Sequence, residues 1–357
     1  MTKLAFSALG LAVCVAVLAV VALAPAGHAQ SEPGGGVIRG VWTAQPSRWK
    51  AEGEFVQLSM RRNSPGHDWN SSFPVPLAEL QGLTREQVRG SGDARFQLVR
   101  DAGTTSFEGR FREGDGAGHF SFSPSAEYVQ AMRALGYSGL DDEKVFRLAT
   151  HDVSRAFIRE LNDLGYARLD LDDLVRLRIH GASPQFIREL KALGYDHLAV
   201  EDLVRLRIHG ATPDFVRELK ALGYDHLGAE ELVRLRIHGA SPEFVRELKP
   251  LGYEKLPSEE LVRMRIHGVT PDFVRELKAL GYDHPSVEQL VRLKIHGVSA
   301  GYVKELRDLG YRDIPIEDLV RMRIHGVTPE FVKRMQGRSG QVPVDRLVEM
   351  RIHDHEL

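Results

Sequence analysis

The sequence predicts a mainly α protein: an αα-hairpin repeat solenoid of about eight 29-residue units, open or closed into a ring, preceded by a small antiparallel β module. Three observations predict it. Histidine recurs at a 29-residue step at His151, His180, His209, His238, His267, His296 and His325, with His353 after a step of 28. Two more registers keep that step: Tyr137, Tyr166, Tyr195, Tyr224, Tyr253, Tyr282 and Tyr311, and the aromatics Tyr128, Phe157, Phe186, Phe215, Phe244, Phe273, Tyr302 and Phe331. Ahead of them, residues 37–123 alternate apolar and polar in short bursts broken by Gly, Asn and Asp, which is strand patterning.

In chain order, residues 1–29 read as a secretory signal peptide: Lys3, an apolar run over 4–24, then the small-residue sites Ala24-Pro25-Ala26 and Gly27-His28-Ala29. The run is nearly long enough to span a bilayer, so the alternative is an uncleaved anchor, the one route to a membrane. Cys14, the single cysteine, lies inside it, which leaves the mature chain without thiol or disulfide. Residues 30–36, QSEPGGG, form a linker. The bursts VIRGVWTA, EFVQLSMRR, ARFQLVRD, SFEGRFRE and GHFSFSP predict five or six strands over 37–123, with a short helix over 77–89.

The helical domain over 124–357 is read from its type copy, 211–239: ATPDFVRELKALGYDHLGAEELVRLRIHG. Thr212 caps the first helix, with Pro213 in the first turn and Asp214 near the positive dipole end. The equivalents are Ser125, Ser154, Ser183, Ser241, Thr270, Ser299 and Thr328. Phe215, Val216, Leu219 and Leu222 share a face, and Gly223-Tyr224 stops the helix with a left-handed glycine and an apolar lid. A second helix runs from about Ala229 to His238 and stops at Gly239-Ala240. LVRLRIH also alternates like a leucine-rich-repeat strand, but the glycine stop and the missing asparagine argue for helix. A lone unit buries too little to offset the cost of ordering its chain, so the copies stabilise one another. Gly337-Arg338-Ser339-Gly340 marks a capping copy at the end, and Asp152 and Ala149 replace glycine and arginine in the first copy, where it meets the β module.

Charge is balanced, 47 basic against 49 acidic residues, which argues against nucleic acid as partner. The helix-two cations Arg178, Arg207, Arg236, Arg265, Lys294 and Arg323 point near the middle of their apolar arc, and the helix-one glutamates Glu160, Glu189, Glu218, Glu247, Glu276 and Glu305 flank theirs. Charges so placed need partners, so a structural ladder is expected in which Glu189, Glu218 and Glu247 bridge to Arg207, Arg236 and Arg265. The outer arginines Arg205, Arg234 and Arg263, with Arg217, Arg246 and Arg275, face away as a solvated stripe available to an acidic partner. The histidines end helices and favour the dipole. Units about 10 Å apart hold them too far from one another to share an ion, so no metal or other cofactor is expected. His197, His226 and His284 read as loop residues, and His353-Asp354-His355 as a weak metal binder at best. No phosphate loop, His-Glu-x-x-His or Gly-x-Ser-x-Gly occurs, and no catalytic residue is assigned. His67, Asp68 and His119 are the residues from which a scattered site would have to be built.

The repeat motifs GVTPEFV at 326–332 and LGYDHLGAEELVRLRIHG at 222–239, with FQLVRDAG at 96–103 and GHFSF at 118–122, resemble the extracytoplasmic β-plus-repeat tails of some relatives of the β-lactam-sensor membrane metalloproteases. The protease part is absent from this sequence. The resemblance implies a bacterial, periplasmic or secreted binding or sensory module and transfers no catalytic residue. The expectation is a non-enzymatic scaffold that binds a protein partner at the cell envelope through its repeat surface. Two alternatives stand: a cell-wall carbohydrate binder using Trp42, Trp49 and Trp69, and metal or pH sensing through the histidine rows.

Overall fold

Alternating side chains and short turns put the first part of the chain into one antiparallel sheet of seven strands, in the order β3-β2-β1-β7-β6-β5-β4. The computed structural model describes residues 37–47, 55–64 and 67–353, with the backbone alone for 63, 64, 67 and 68. The signal peptide, linker, Cys14, Trp49, Asp354 and His355 lie outside the described residues, as do the side chains of His67 and Asp68. The strands are β1 (Ile38–Pro46), β2 (Phe55–Ser64), β3 (His67–Pro76), β4 (Leu80–Gln81), β5 (Ser91–Arg100), β6 (Gly103–Arg112) and β7 (Asp115–Pro124). The sheet is therefore larger than the small module expected. The strand that patterning passed over is β3, whose Pro74 and Pro76 weaken a strand reading. It lies at the sheet edge, where a missing N–H does not break a ladder. The helix expected over 77–89 is split into a 3-10 turn, β4 and one short helix, α1 (Arg85–Arg89).

The sheet buries one aromatic face. Trp42 is 1% exposed and meets Phe96, Phe107 and Phe111 at 5.2, 6.1 and 5.8 Å between ring centres. Its indole N–H donates to the carbonyl of Glu108. A sugar cannot reach this ring.

Sixteen helices of seven or more residues follow among the described residues. They are α2 (Ala126–Ala134), α3 (Asp142–Thr150), α4 (Arg155–Asp163), α5 (Leu171–Ile179), α6 (Pro184–Ala192), α7 (Val200–Ile208), α8 (Pro213–Ala221) and α9 (Ala229–Ile237). The remainder are α10 (Pro242–Leu248), α11 (Ser258–Ile266), α12 (Pro271–Ala279), α13 (Val287–Ile295), α14 (Ala300–Asp308), α15 (Ile316–Ile324), α16 (Pro329–Ser339) and α17 (Val344–His353). The segment that alternates like a strand, LVRLRIH, is helical in every copy. Even-numbered helices from α2 to α16 pack each on the next even one, and odd-numbered helices from α3 to α17 each on the next odd one. Two parallel rows result.

Local chemistry sets the helix ends. Every expected Ser or Thr cap accepts a hydrogen bond from the backbone N–H three residues on, as Thr212 does from Phe215. Gly223 and Gly239 take φ of 94° and 69°, the left-handed region where a side chain is strained. The buried residue after each second-row stop, Ala240 for example, donates back to the carbonyl five residues earlier, closing the helix as a Schellman turn.

The tyrosine register does more than lid its own helix. Tyr166, Tyr195, Tyr224, Tyr253, Tyr282 and Tyr311 donate their hydroxyls to Leu198, Leu227, Leu256, Pro285, Ile314 and Val342, carbonyls one unit ahead, at 2.6–2.9 Å. Each bond ties a loop to its successor. Tyr224→Phe is expected to cost about 1 kcal/mol, because the carbonyl of Leu256 is left half-buried without its donor. Tyr137→Phe is the control, since that hydroxyl has no hydrogen-bond partner among the described residues. Thermal midpoints of the two variants check this.

The first unit docks on the sheet through Phe146 of α3, whose ring lies 5.7 Å from Phe120, 5.1 Å from Phe122 and 4.8 Å from Trp69. Arg155 at the start of α4 binds Asp101, in the β5–β6 turn, through its backbone N–H and its guanidinium. The described residues thus form one compact unit.

Candidate functional site

A helix turns 100° per residue, so in each second-row helix the three buried residues, such as Leu232, Val233 and Leu235, line one arc. The isoleucine two positions beyond the last of them lies about 40° past the edge of that arc and about 120° from its middle. Ile179, Ile208, Ile237, Ile266, Ile295 and Ile324 are between 53% and 56% exposed, and Ile352 continues the register at 40%. These seven make up most of the large apolar residues exposed among the described residues. Single exposed apolar side chains are ordinary, but one in each successive second-row unit forms a row. The alternation in LVRLRIH contained this signal, and a wheel angle read for the isoleucine would have found it.

The cation before each isoleucine points into the middle of the packed arc, as its wheel position requires. What it meets differs from the expected glutamate. Arg207, Arg236 and Arg265 lie over the rings of Phe186, Phe215 and Phe244 at 5.5, 5.3 and 5.1 Å, and Lys294 and Arg323 over Phe273 and Tyr302 at 4.8 and 4.9 Å. The aromatic quadrupole takes the role assigned to a carboxylate. Each cation also reaches the stop glycine of the preceding second helix: a methyl group on Gly181 or Gly210 would stand 3.5 Å from Nε of Arg207 or Arg236. At the two ends the guanidinium caps that helix, Arg178 Nε donating to the carbonyl of His151 and Arg351 Nε to that of Gly326. Arg178 also pairs with Asp152, the residue that replaces glycine there. Further along the stop is glycine, and Arg207, Arg236, Arg265, Lys294 and Arg323 have no carboxylate partner among the described residues. Cations and isoleucines therefore alternate along the row.

The glutamates pair elsewhere. Glu160, Glu218 and Glu247 bridge to Arg188, Arg246 and Arg275, the first-row arginines one unit on, at 3.1–3.2 Å. Glu189 accepts from the Gln185 amide instead. Of the arginines expected to form a free stripe, Arg246 and Arg275 are engaged in these bridges, Arg217 pairs with Asp214 and Arg234 with Glu259. Arg205 and Arg263 have no ion pair among the described residues. The two arginine sets thus exchange surroundings. Three of the outer set, Arg234, Arg246 and Arg275, link units, while the inner set lies on the aromatic rings without a carboxylate at ion-pair distance. The bridging side chains are about half exposed, so each pair contributes at most about 1 kcal/mol.

The histidines end the second-row helices as expected, each with φ near −90° at the cap. Their imidazoles do not reach carbonyls: those of His180, His209, His238, His267, His296 and His325 have no hydrogen-bond partner among the described residues. His151 differs. Burial, with the charges of Arg147 and Arg100, holds its pKa down to about 4. His197 and His284 occupy left-handed loop positions, and His119 is exposed on β7. Among the described residues no three potential ligands cluster to hold a metal ion, and no helix is long and apolar enough to cross a membrane.

A cleft of about 750 Å³ opens where the sheet meets the first unit, lined by Trp69, Ser72, Phe73, Arg100, Asp152 and Arg178 among others, and by Ile179, the first isoleucine of the row. Arg100 is largely buried, stacks on Phe73 at 5.6 Å and donates to the carbonyls of Ala149 and Thr150. Of the two described tryptophans, Trp42 is core and Trp69 is at the cleft. Compared with protein-family models and with curated proteins, the chain matches none.

Proposed function

We propose that the chain is a non-enzymatic scaffold in which an αα-hairpin solenoid presents the isoleucine-cation row to a protein partner, outside the cytoplasm at the cell envelope. The packing of each helix on its counterpart one unit on supports the solenoid. The row itself carries the binding reading. Half-exposed isoleucines in each of successive units forgo burial that the fold offers their neighbours, and from Arg207 to Arg323 the residue before each is a cation that makes no ion pair among the described residues. The placement outside the cytoplasm rests on the signal-like amino terminus and on the resemblance of the repeats.

The test is direct. A protein captured from an envelope extract is identified, purified and titrated against the full chain and two variants. The triple variant Ile237→Ser, Ile266→Ser, Ile295→Ser is expected to weaken binding by roughly tenfold or more, since each serine removes apolar area the partner would cover. Arg217→Gln with Arg246→Gln is expected to change affinity little. A triple variant that binds as tightly as the parent chain overturns the row as the binding surface.

The cleft supports a second reading, a carbohydrate ligand stacked on Trp69 among the cleft's hydroxyl and guanidinium groups. Under it the isoleucine triple variant keeps full affinity for isolated cell wall, and Trp69→Ala loses it.

A further inference from the structure

The row has a repeat distance, a charge pattern and a set of free hydrogen-bonding groups, and together these restrict what can lie along it. Neighbouring second-row helices pack side by side, which spaces equivalent residues by about 8–10 Å. The isoleucines from Ile179 to Ile324 each occupy the last position of their own helix, so they repeat at that spacing. A β-strand of three residues spans about 10 Å, but its side chains alternate, so every second apolar group would face away. A polyproline-II chain advances about 9.3 Å in three residues and returns to the same face. It matches the row in both distance and direction.

A helix with one apolar residue in seven also repeats near 10 Å, and hydrogen bonding argues against it. Its backbone carbonyls are already bonded, whereas those of polyproline II are open. The row offers unpartnered donors and acceptors in the imidazoles from His180 to His325. An occupant with an open backbone uses them. Arg207, Arg236, Arg265, Lys294 and Arg323 make no ion pair among the described residues, and favour acidic residues between the apolar ones.

Resting on the reading of the row as a binding surface, we propose that its occupant is an acidic polyproline-II segment of a partner protein, with an apolar side chain at every third position and carboxylates between. The segment lies along the second-row helix ends, each apolar side chain against one isoleucine and each carboxylate against the next cation.

Labelled synthetic peptides titrated into the full chain test this by fluorescence anisotropy. The probe is an 18-residue Leu-Glu-Pro repeat. Three peptides of the same length accompany it: a Leu-Lys-Pro repeat, an alternating Leu-Glu-Thr-Glu strand former, and an Ala-Glu-Lys helix former with leucine at every seventh position. The Leu-Glu-Pro peptide is expected to bind, more weakly when shortened to nine residues and with at least tenfold loss on the Ile237→Ser, Ile266→Ser, Ile295→Ser variant. Arg236→Gln with Arg265→Gln is expected to weaken it and to flatten its salt dependence. Preference for the strand or helix peptide, lost in the isoleucine variant, overturns the polyproline-II occupant and leaves the row a binding surface. Equal binding of the lysine peptide overturns the charge complement. Binding of none of the four overturns this inference, while the captured-partner titration decides the surface separately.

Discussion

Replacing Leu235 by alanine is expected to destabilise the chain by about 2–5 kcal/mol, and replacing Ile237, two residues on in the same helix, by about 1 kcal/mol or less. Leu235 is fully buried in α9, which packs on both α7 and α11, so the cavity opens against two neighbouring units at once. A helix that packs on counterparts on both sides is held by both, and a defect in it loosens both interfaces. Ile237 is 53% exposed, so alanine removes about half as much buried area and leaves no void. Alanine's better helix propensity offsets part of even that loss. Thermal midpoints of the two variants decide the matter. A large loss for Ile237→Ala would show the row to be part of the core and remove the basis for a binding role.

Stability is expected to fall by roughly 1 kcal/mol between pH 6.5 and pH 5 on account of His151 alone. Its folded pKa is near 4 against an ordinary 6.5, through burial and the charges of Arg147 and Arg100. Asp152 and Arg178 stand beside it at the same cleft. Inside the window from 6.5 down to about 4 the unfolded chain takes up a proton that the folded chain refuses, so acid favours unfolding. Each pH unit there is worth about 1.4 kcal/mol, less once partial exposure is counted. Above pH 6.5 both states are neutral at this residue and it contributes no slope. His151→Gln removes the titration, and its midpoint is expected to drop less than that of the parent chain between pH 7 and pH 5. An unchanged difference between the two pH values would mean that His151 protonates freely in the fold.

The sequence was most legible where a few adjacent residues decide the outcome. The Ser and Thr caps, the glycine stops and the assignment of LVRLRIH to helix all depend on groups within about five residues of one another. It was less legible for β3, where prolines that look incompatible with a strand are tolerated at the sheet edge. The charged positions show the same division. Wheel angles placed Arg207, Arg236 and Arg265 near the middle of the packed arc, which is where they point. They did not say that Phe186, Phe215 and Phe244 would be there to receive them.

By itself the sequence determined the period, the helix ends and which residues are apolar enough to make one unit stack on the next. Those follow from backbone geometry and local hydrogen bonding. Only the tertiary structure decided the seven-strand sheet and the partners across the unit boundary. A side chain's partner one unit away depends on how far neighbouring helices slide and tilt against each other, and a 29-residue period is compatible with many such offsets. That offset sets Glu218 against Arg246 and brings Arg236, which lies on Phe215 of its own unit, against Gly210 of the unit before. The isoleucines are left in solvent because their wheel angle turns them off the packed arc and no neighbouring unit covers them.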